Sequence, residues 1–135
     1  MAGENALVAK TLFSEVSKKS KDIEKDAPAI AWTIINRTSR PERFGATIQD
    51  VIYAPKQFSG VGSNEWNKVE TGKMNEAEQK IYKRLLQISN GVLTGKITDP
   101  TGGADHYFNP KLVKPSWSKK MKKTYSSGAH DYYKE

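Results

Sequence analysis

The sequence predicts a mainly α domain of the α+β kind, helical through most of its length with a small β element near the C-terminal part. Three observations carry this expectation. Apolar residues recur at three- and four-residue spacing in several stretches before residue 92; helix-start and helix-stop residues flank those stretches; and from Asp99 onward the pattern changes to turn residues and paired aromatics. At 135 residues the chain is the size of one domain and long enough to bury one core, so residues 1–135 are read as a single unit.

The first helix is expected from about Asn5 to Ser17, with Leu7, Val8, Thr11, Leu12 and Val16 forming its apolar stripe. A second begins near Asp26, whose carboxylate would cap the free amides of the first turn, where Pro28 is also tolerated. Ile30, Ala31, Ile34 and Ile35 form its buried face. Thr47 and Asp50 make a capping pattern for a short helix carrying Ile48, Val51 and Ile52, which Pro55 ends. Asn75 and Glu78 start the clearest helix, with Ile81, Leu85 and Ile88 on one face and Gly91 and Gly95 at its close. Between these, the polar segment Ser59 to Lys73 reads as linker-like. Asp99-Pro100-Thr101-Gly102-Gly103 is turn chemistry, and Tyr107-Phe108 and Tyr132-Tyr133 mark two short strands able to pair.

Composition narrows the chemistry. The chain has no cysteine, which removes disulfides and thiolate catalysis, and its two histidines are too few for a dedicated transition-metal site, so no metal and no cofactor are expected. Met1 to Lys10 lacks the basic start and long apolar stretch of a signal peptide, and the longest apolar run, Ala27 to Ile35, is interrupted by Thr33. The expectation is synthesis in the cytoplasm without a signal peptide and no membrane insertion. A net charge of +7 favours polyanionic partners, among them nucleic acids, anionic lipids and bacterial walls. The cluster Lys111, Lys114, Lys119, Lys120, Lys122 and Lys123 is dense enough to suggest such a partner, although lysine-rich surfaces also serve solubility alone.

Glu15 stands out on the first helix. It lies seven residues after Val8, four after Thr11 and three after Leu12, so its carboxylate falls on the apolar stripe. A carboxyl group taken from water without a paired cation favours its neutral form, and a neutral Glu can act as a general acid. The competing structural reading puts Glu15 at the edge of the stripe, paired with Lys18 or Lys19 in solvent. Gln57-Phe58-Ser59 and the loop near Asn109 offer amides and hydroxyls suited to sugar hydroxyls, but such residues more often form turns or plain surface. Tyr107 and Trp117 have rings able to stack on sugars, though core packing is the commoner fate.

Four motifs in order across nearly the whole chain add to this reading. The run DPTGGADHYFNP beginning at Asp99, AWTIINR from Ala31 to Arg37, IQDVIYAPKQFS from Ile48 to Ser59, and Trp117 with Gly128-Ala129-His130 together resemble the cell wall hydrolase family that includes the catalytic domain of spore-cortex-lytic enzymes. In that family the first helix carries a Gly-Glu pair whose Glu is catalytic, and Ser14-Glu15 occupies the corresponding place. The chain departs from the pattern with Ser14 for the glycine and with Val16-Ser17-Lys18-Lys19 where the family continues Ala-Arg-Gly-Glu, so the second acidic position is absent.

The resemblance implies a lysozyme-like, lytic transglycosylase-like fold. It also implies bacterial peptidoglycan as partner and cleavage of the β-1,4 bond between N-acetylmuramic acid and N-acetylglucosamine. A hydrolase working by the usual routes needs a second carboxylate, for which Asp50, Asp99 and Asp105 are the candidates and none is favoured. A lytic transglycosylase needs one acid, because the muramic 6-hydroxyl attacks its own anomeric carbon. The expected site is therefore Glu15 as acid, with Gln57, Ser59, Thr101, Tyr107 and Asn109 on the substrate and His130 supporting or binding from the second strand. Rival expectations are a muramidase or glucosaminidase using water, and a non-catalytic basic module binding wall or nucleic acid; nucleic acid is the less favoured partner. The build suits a phage endolysin or a virion-associated lysin acting on the host wall, with a monomer as the default state.

Overall fold

The computed structural model describes residues 2–17, 22–55 and 57–135. Among them are six α-helices: α1 (Ala2–Val16), α2 (Ile23–Thr38), α3 (Pro41–Phe44), α4 (Ile48–Tyr53), α5 (Asn64–Thr71) and α6 (Glu76–Leu93). Three strands follow late in the chain: β1 (His106–Phe108), β2 (Lys122–Ser126) and β3 (Asp131–Lys134). The mainly helical architecture with a small C-terminal sheet is as the sequence predicts. Among the described residues no helix is long and apolar enough to cross a membrane.

Helix α1 is the centre of the molecule, packed against α2, α4, α5 and α6. This explains why its buried surface exceeds the predicted stripe: Ala9 and Phe13 are as buried as Val8, Leu12 and Val16. Ile30 and Ile34 of α2, Val51 and Ile52 of α4, and Leu85, Ile88 and Val92 of α6 complete the core around it. Each buried aliphatic side chain contributes about 1.5–3 kcal/mol relative to exposure.

Most predicted helix starts hold. Thr47 accepts from the Asp50 amide at 3.0 Å, and Asn75 and Glu78 form a reciprocal capping box. The second helix is corrected. Its cap is Asp22, which accepts from the Lys25 amide, so α2 starts four residues before the expected Asp26. Asp22 and Asp26 are one turn apart and both suit a cap; the earlier one takes the role, and Asp26 turns into the core with Pro28 a turn deeper than expected.

The segment read as linker-like contains α5. Ser63 caps it, Gly72 closes it in the left-handed conformation at φ 71°, and Trp66 is its single buried residue. With so few apolar positions its periodicity is faint. In the sheet, β3 is central: β1 and β3 run antiparallel with Tyr107 opposite Tyr132, as expected for the two aromatic doublets. The additional strand β2 pairs on the other side of β3. Its Lys-Lys-Thr-Tyr-Ser sequence has the charge that keeps an edge strand from pairing with other chains, which also hides it from a hydrophobic pattern search.

Candidate active site

Glu15 sits near the C-terminal end of α1, facing β1. The Tyr107 hydroxyl donates to Glu15 Oε1 at 2.7 Å. The other oxygen, Oε2, is buried and has no hydrogen-bond partner among the described residues. It is covered by Gly60, where an added Cβ would lie 2.8 Å from Oε2 and 2.2 Å from Ser14 Oγ. Only a glycine allows that approach. Ser14, which stands where the resembled family has glycine, points its hydroxyl back to the Thr11 carbonyl at 2.7 Å. The rival ion pair with Lys18 or Lys19 falls on residues outside those described.

Tyr107 is held by its neighbours. Its ring stacks on Tyr132 at 5.5 Å and receives the edge of His130 at 5.1 Å. Burial, followed by the charge of Glu15 and the hydrogen bond to it, pushes the Tyr107 phenol well above its ordinary range, so this hydroxyl is a donor and not a base. Beneath the rings lies Asp26, 1% exposed. It accepts from the Tyr132 hydroxyl at 2.6 Å, from the Ser127 hydroxyl at 2.8 Å, and lies 2.9 Å from His130 Nδ1. Burial works to raise the Asp26 carboxyl, but the hydrogen bonds from His130, Tyr132 and Ser127 outweigh it and hold the group below its usual value.

A second group of residues joins the loops around β1 to the end of α2. Arg37 is buried with its guanidinium between Phe44 and Phe58, 5.0 and 5.3 Å from their ring centres. Its Nε donates to the Asp105 carbonyl at 2.8 Å and Nη1 to Gln57 Oε1 at 3.1 Å. Asn36 Nδ2 donates to Asp99 Oδ2 and to the Ala104 carbonyl. The Asn-Arg pair thus ties both the Asp99 turn and the Gln57 loop to α2. Burial depresses the Arg37 guanidinium, with Tyr107 and Asp105 acting the other way.

The predicted site residues divide accordingly. Tyr107 touches Glu15, and Gln57 and Ser59 are exposed on the loop that leads into Gly60. Gln57 also lines a cavity of about 200 Å³ with Arg43, Phe44, Ala54 and His106. Thr101, expected on the substrate, is fully buried; its hydroxyl donates to Asp99 Oδ1 at 2.6 Å and accepts from the Ala104 amide, so it shapes the turn. Asn109 closes the turn after β1, its Oδ1 accepting from the Lys111 amide at 2.9 Å. His130 is buried behind Tyr107, in place to support it. Asp26 and Gly60 were not assigned to the site by the sequence reading, and Asn36 and Arg37 entered it only as the end of the AWTIINR motif. Asp26 had a usable signal: it lies four residues before Ile30 and eight before Ile34, a charge on an apolar stripe like Glu15.

Two of the three candidate second carboxylates are held in other contacts, and the third is exposed. Asp99 accepts from the Thr101 amide and hydroxyl, the Gly103 amide and Asn36. Asp50 is exposed on α4. Asp105 is buried against His106 Nδ1, Arg40 and the Glu135 amide. Burial works to raise the Asp105 carboxyl, and the contacts from His106, Glu135 and Arg40 bring it net below its usual value. Asp105, His106 and Glu135 bring potential ligand atoms within 4.8 Å of one another. Arg40 and Arg43 already supply positive charge there, reaching Glu135 Oε2 at 3.1 and 2.5 Å. The six lysines from Lys111 to Lys123 are all exposed, with Lys123 3.4 Å from Asp131.

The helical domain and its late sheet are those of a lysozyme-like wall-cleaving enzyme, and the chain belongs to the Cell Wall Hydrolase family, whose model matches residues 21–133. Two solved structures share the fold over 99% of this chain at 25% identity. One is the catalytic domain of the Bacillus cereus SleB protein, with a TM-score of 0.68 and 91% of that chain covered. The other is the catalytic domain of the germination-specific lytic transglycosylase SleB from Bacillus anthracis, with a TM-score of 0.69 and 96% covered. No curated protein matches the chain in sequence. The family match begins after Glu15, whereas the structural matches extend over nearly the whole chain and so take in α1.

Proposed function

We propose that this cell wall hydrolase cleaves the β-1,4 bond between N-acetylmuramic acid and N-acetylglucosamine as a lytic transglycosylase, with Glu15 as both acid and base. The observation that carries the reading is the setting of the Glu15 carboxyl group: Oε1 holds a hydrogen bond from the Tyr107 hydroxyl, and buried Oε2 has no partner among the described residues. In the proposed cycle Oε2, which no described donor occupies, is the oxygen that delivers the proton.

In the first step that proton passes to the glycosidic oxygen, the bond from this oxygen to the muramic anomeric carbon breaks, and an oxocarbenium-like centre forms. The Glu15 carboxylate then takes the proton of the muramic 6-hydroxyl, whose oxygen bonds to the same carbon. No water is consumed, and the product ends in a 1,6-anhydro sugar. Support comes from the engagement of Asp99 and Asp105 in other contacts, which leaves neither disposed as a nucleophile or water-activating base, and from the fold shared with a protein described as a lytic transglycosylase. Gln57 and Ser59 bind acetamido and hydroxyl groups on the loop beside Glu15. Tyr107 holds the acid, with His130 behind it.

The same reading has the protein made in the cytoplasm and acting on the wall as a phage endolysin or virion-associated lysin, as a monomer. Glu15→Gln retains the shape and loses the proton cycle. It should abolish the fall in turbidity of a wall suspension that the wild-type protein produces; retention of most of that activity would overturn the mechanism.

A further inference from the structure

We propose that Asp26 is a positioning residue for the catalytic acid: with Tyr132, His130 and Ser127 it forms a buried brace that sets the Tyr107 hydroxyl against Glu15. The inference rests on the assignment of Glu15 above and adds to it a residue with no contact to substrate.

The brace follows from the sheet register and the hydrogen bonds. Tyr107 and Tyr132 are direct partners on neighbouring strands, which puts their rings in the stacked arrangement, 5.5 Å apart and inclined by 29°. A stack alone leaves a ring free to slide in its plane. Here the partner ring is pinned at its far end, because the Tyr132 hydroxyl donates to Asp26 Oδ1 at 2.6 Å. The second contact is fixed by the same carboxylate: His130 Nδ1 lies 3.1 and 2.9 Å from the two Asp26 oxygens, and the imidazole meets the Tyr107 ring nearly perpendicularly, at 84°. Ser127 closes the assembly. Its hydroxyl donates to Asp26 and accepts from the His130 amide at 3.1 Å, which holds the turn leading into β3.

Two sides of the Tyr107 ring are therefore referenced to one carboxylate on α2. The tip of that ring makes the 2.7 Å bond to Glu15 on α1. Asp26 is thereby coupled to the acid through packed rings and hydrogen bonds, with Tyr107 as the last link. A carboxylate buried to this degree in a helical core is costly unless fully hydrogen-bonded. For stability alone an apolar residue would serve the α2 stripe at least as well, which makes a positioning role the better account of its presence.

The test is a double-mutant cycle on cleavage rate with purified peptidoglycan, using Asp26→Asn, Tyr107→Phe and the pair, each checked by circular dichroism to be folded at the assay temperature. The structure predicts that Asp26→Asn lowers kcat on the order of tenfold to a hundredfold, the scale of a small misplacement at a reacting group, with little change in KM. It further predicts that the same substitution costs little once Tyr107→Phe has removed the hydroxyl. An equal loss in both backgrounds would mean that Asp26 acts only on stability and would overturn the proposal. Tyr132→Phe, which keeps the stack and loses only the bond to Asp26, supplies a milder variant should Asp26→Asn fail to fold, and the same non-additivity is expected of it.

A second readout does not depend on activity: the carbon-13 resonance of the Glu15 carboxyl should move in Asp26→Asn in the same direction as in Tyr107→Phe. An unmoved resonance in a folded Asp26→Asn protein refutes the brace even if cleavage proves to use another acid. Moved resonances with no cleavage by the wild type would instead refute the assigned function and leave the brace standing.

Discussion

Gly60 lies against the carboxylate of Glu15, so close that a methyl group on it would stand 2.8 Å from Oε2 and 2.2 Å from Ser14 Oγ. Gly60→Ala should therefore displace the acid or push the loop away, with a large loss of wall cleavage. Ser14→Gly removes two of the three clashing atoms, so the double variant should recover part of the activity that Gly60→Ala loses. Cleavage rates of the two proteins, compared at equal folded concentration, check this; an undiminished Gly60→Ala would show that the loop does not cover the acid as described.

Tyr107→Phe keeps the ring, its stack on Tyr132 and its contact with His130, and deletes only the donor to Glu15. That donor meets the carboxylate formed once the proton has left, and a hydrogen bond to a charged group contributes about 1.5–3 kcal/mol, so the rate should fall by tenfold or more. Binding to intact walls, measured by co-sedimentation, should be unchanged.

The Asp26 carboxyl is held below its ordinary range, so its folded form releases its proton more readily than its unfolded form. The stability it gives is present above the unfolded value, near pH 4, and is lost as pH falls through the lower folded value. Thermal melts from pH 6 down to pH 2 should show a steep acid limb in the wild type and a shallower one in Asp26→Asn. That variant should also melt lower at neutral pH, since disturbing buried hydrogen bonds to a carboxylate costs about 1–3 kcal/mol.

The capping box at the start of α6 joins Asn75 and Glu78 to each other's backbone amides. Asn75→Ala should cost about 1 kcal/mol, lowering Tm by a few degrees, with cleavage at 25 °C unaffected. A change in specific activity would mean that α6 is coupled to the site.

Legibility in the sequence followed the strength of local signals. α6 was visible because its box and apolar face agree, and α4 because Thr47 caps it. The β1–β3 pair was visible in its aromatic doublets, whereas β2, an edge strand carrying lysines, and α5, with one buried residue, offered no periodicity to read. Glu15 stood out because a charge on an apolar stripe is anomalous, and the resemblance of Ser14-Glu15 to a family motif singled it out as the candidate acid. Asp26 carried the same anomaly but also suited a helix cap, and the local explanation masked the tertiary one. Gly60 and Arg37 act through approaches between segments far apart in sequence, and Thr101 was misplaced because a hydroxyl in a turn reads alike whether it faces solvent or the turn itself.

The most direct test of the account is mass spectrometry of the soluble products released from purified peptidoglycan by the wild-type protein and by Glu15→Gln. The account predicts 1,6-anhydro-muramic ends from the wild type and no products from the variant. Reducing ends from the wild type, or anhydro ends from both proteins, would contradict it.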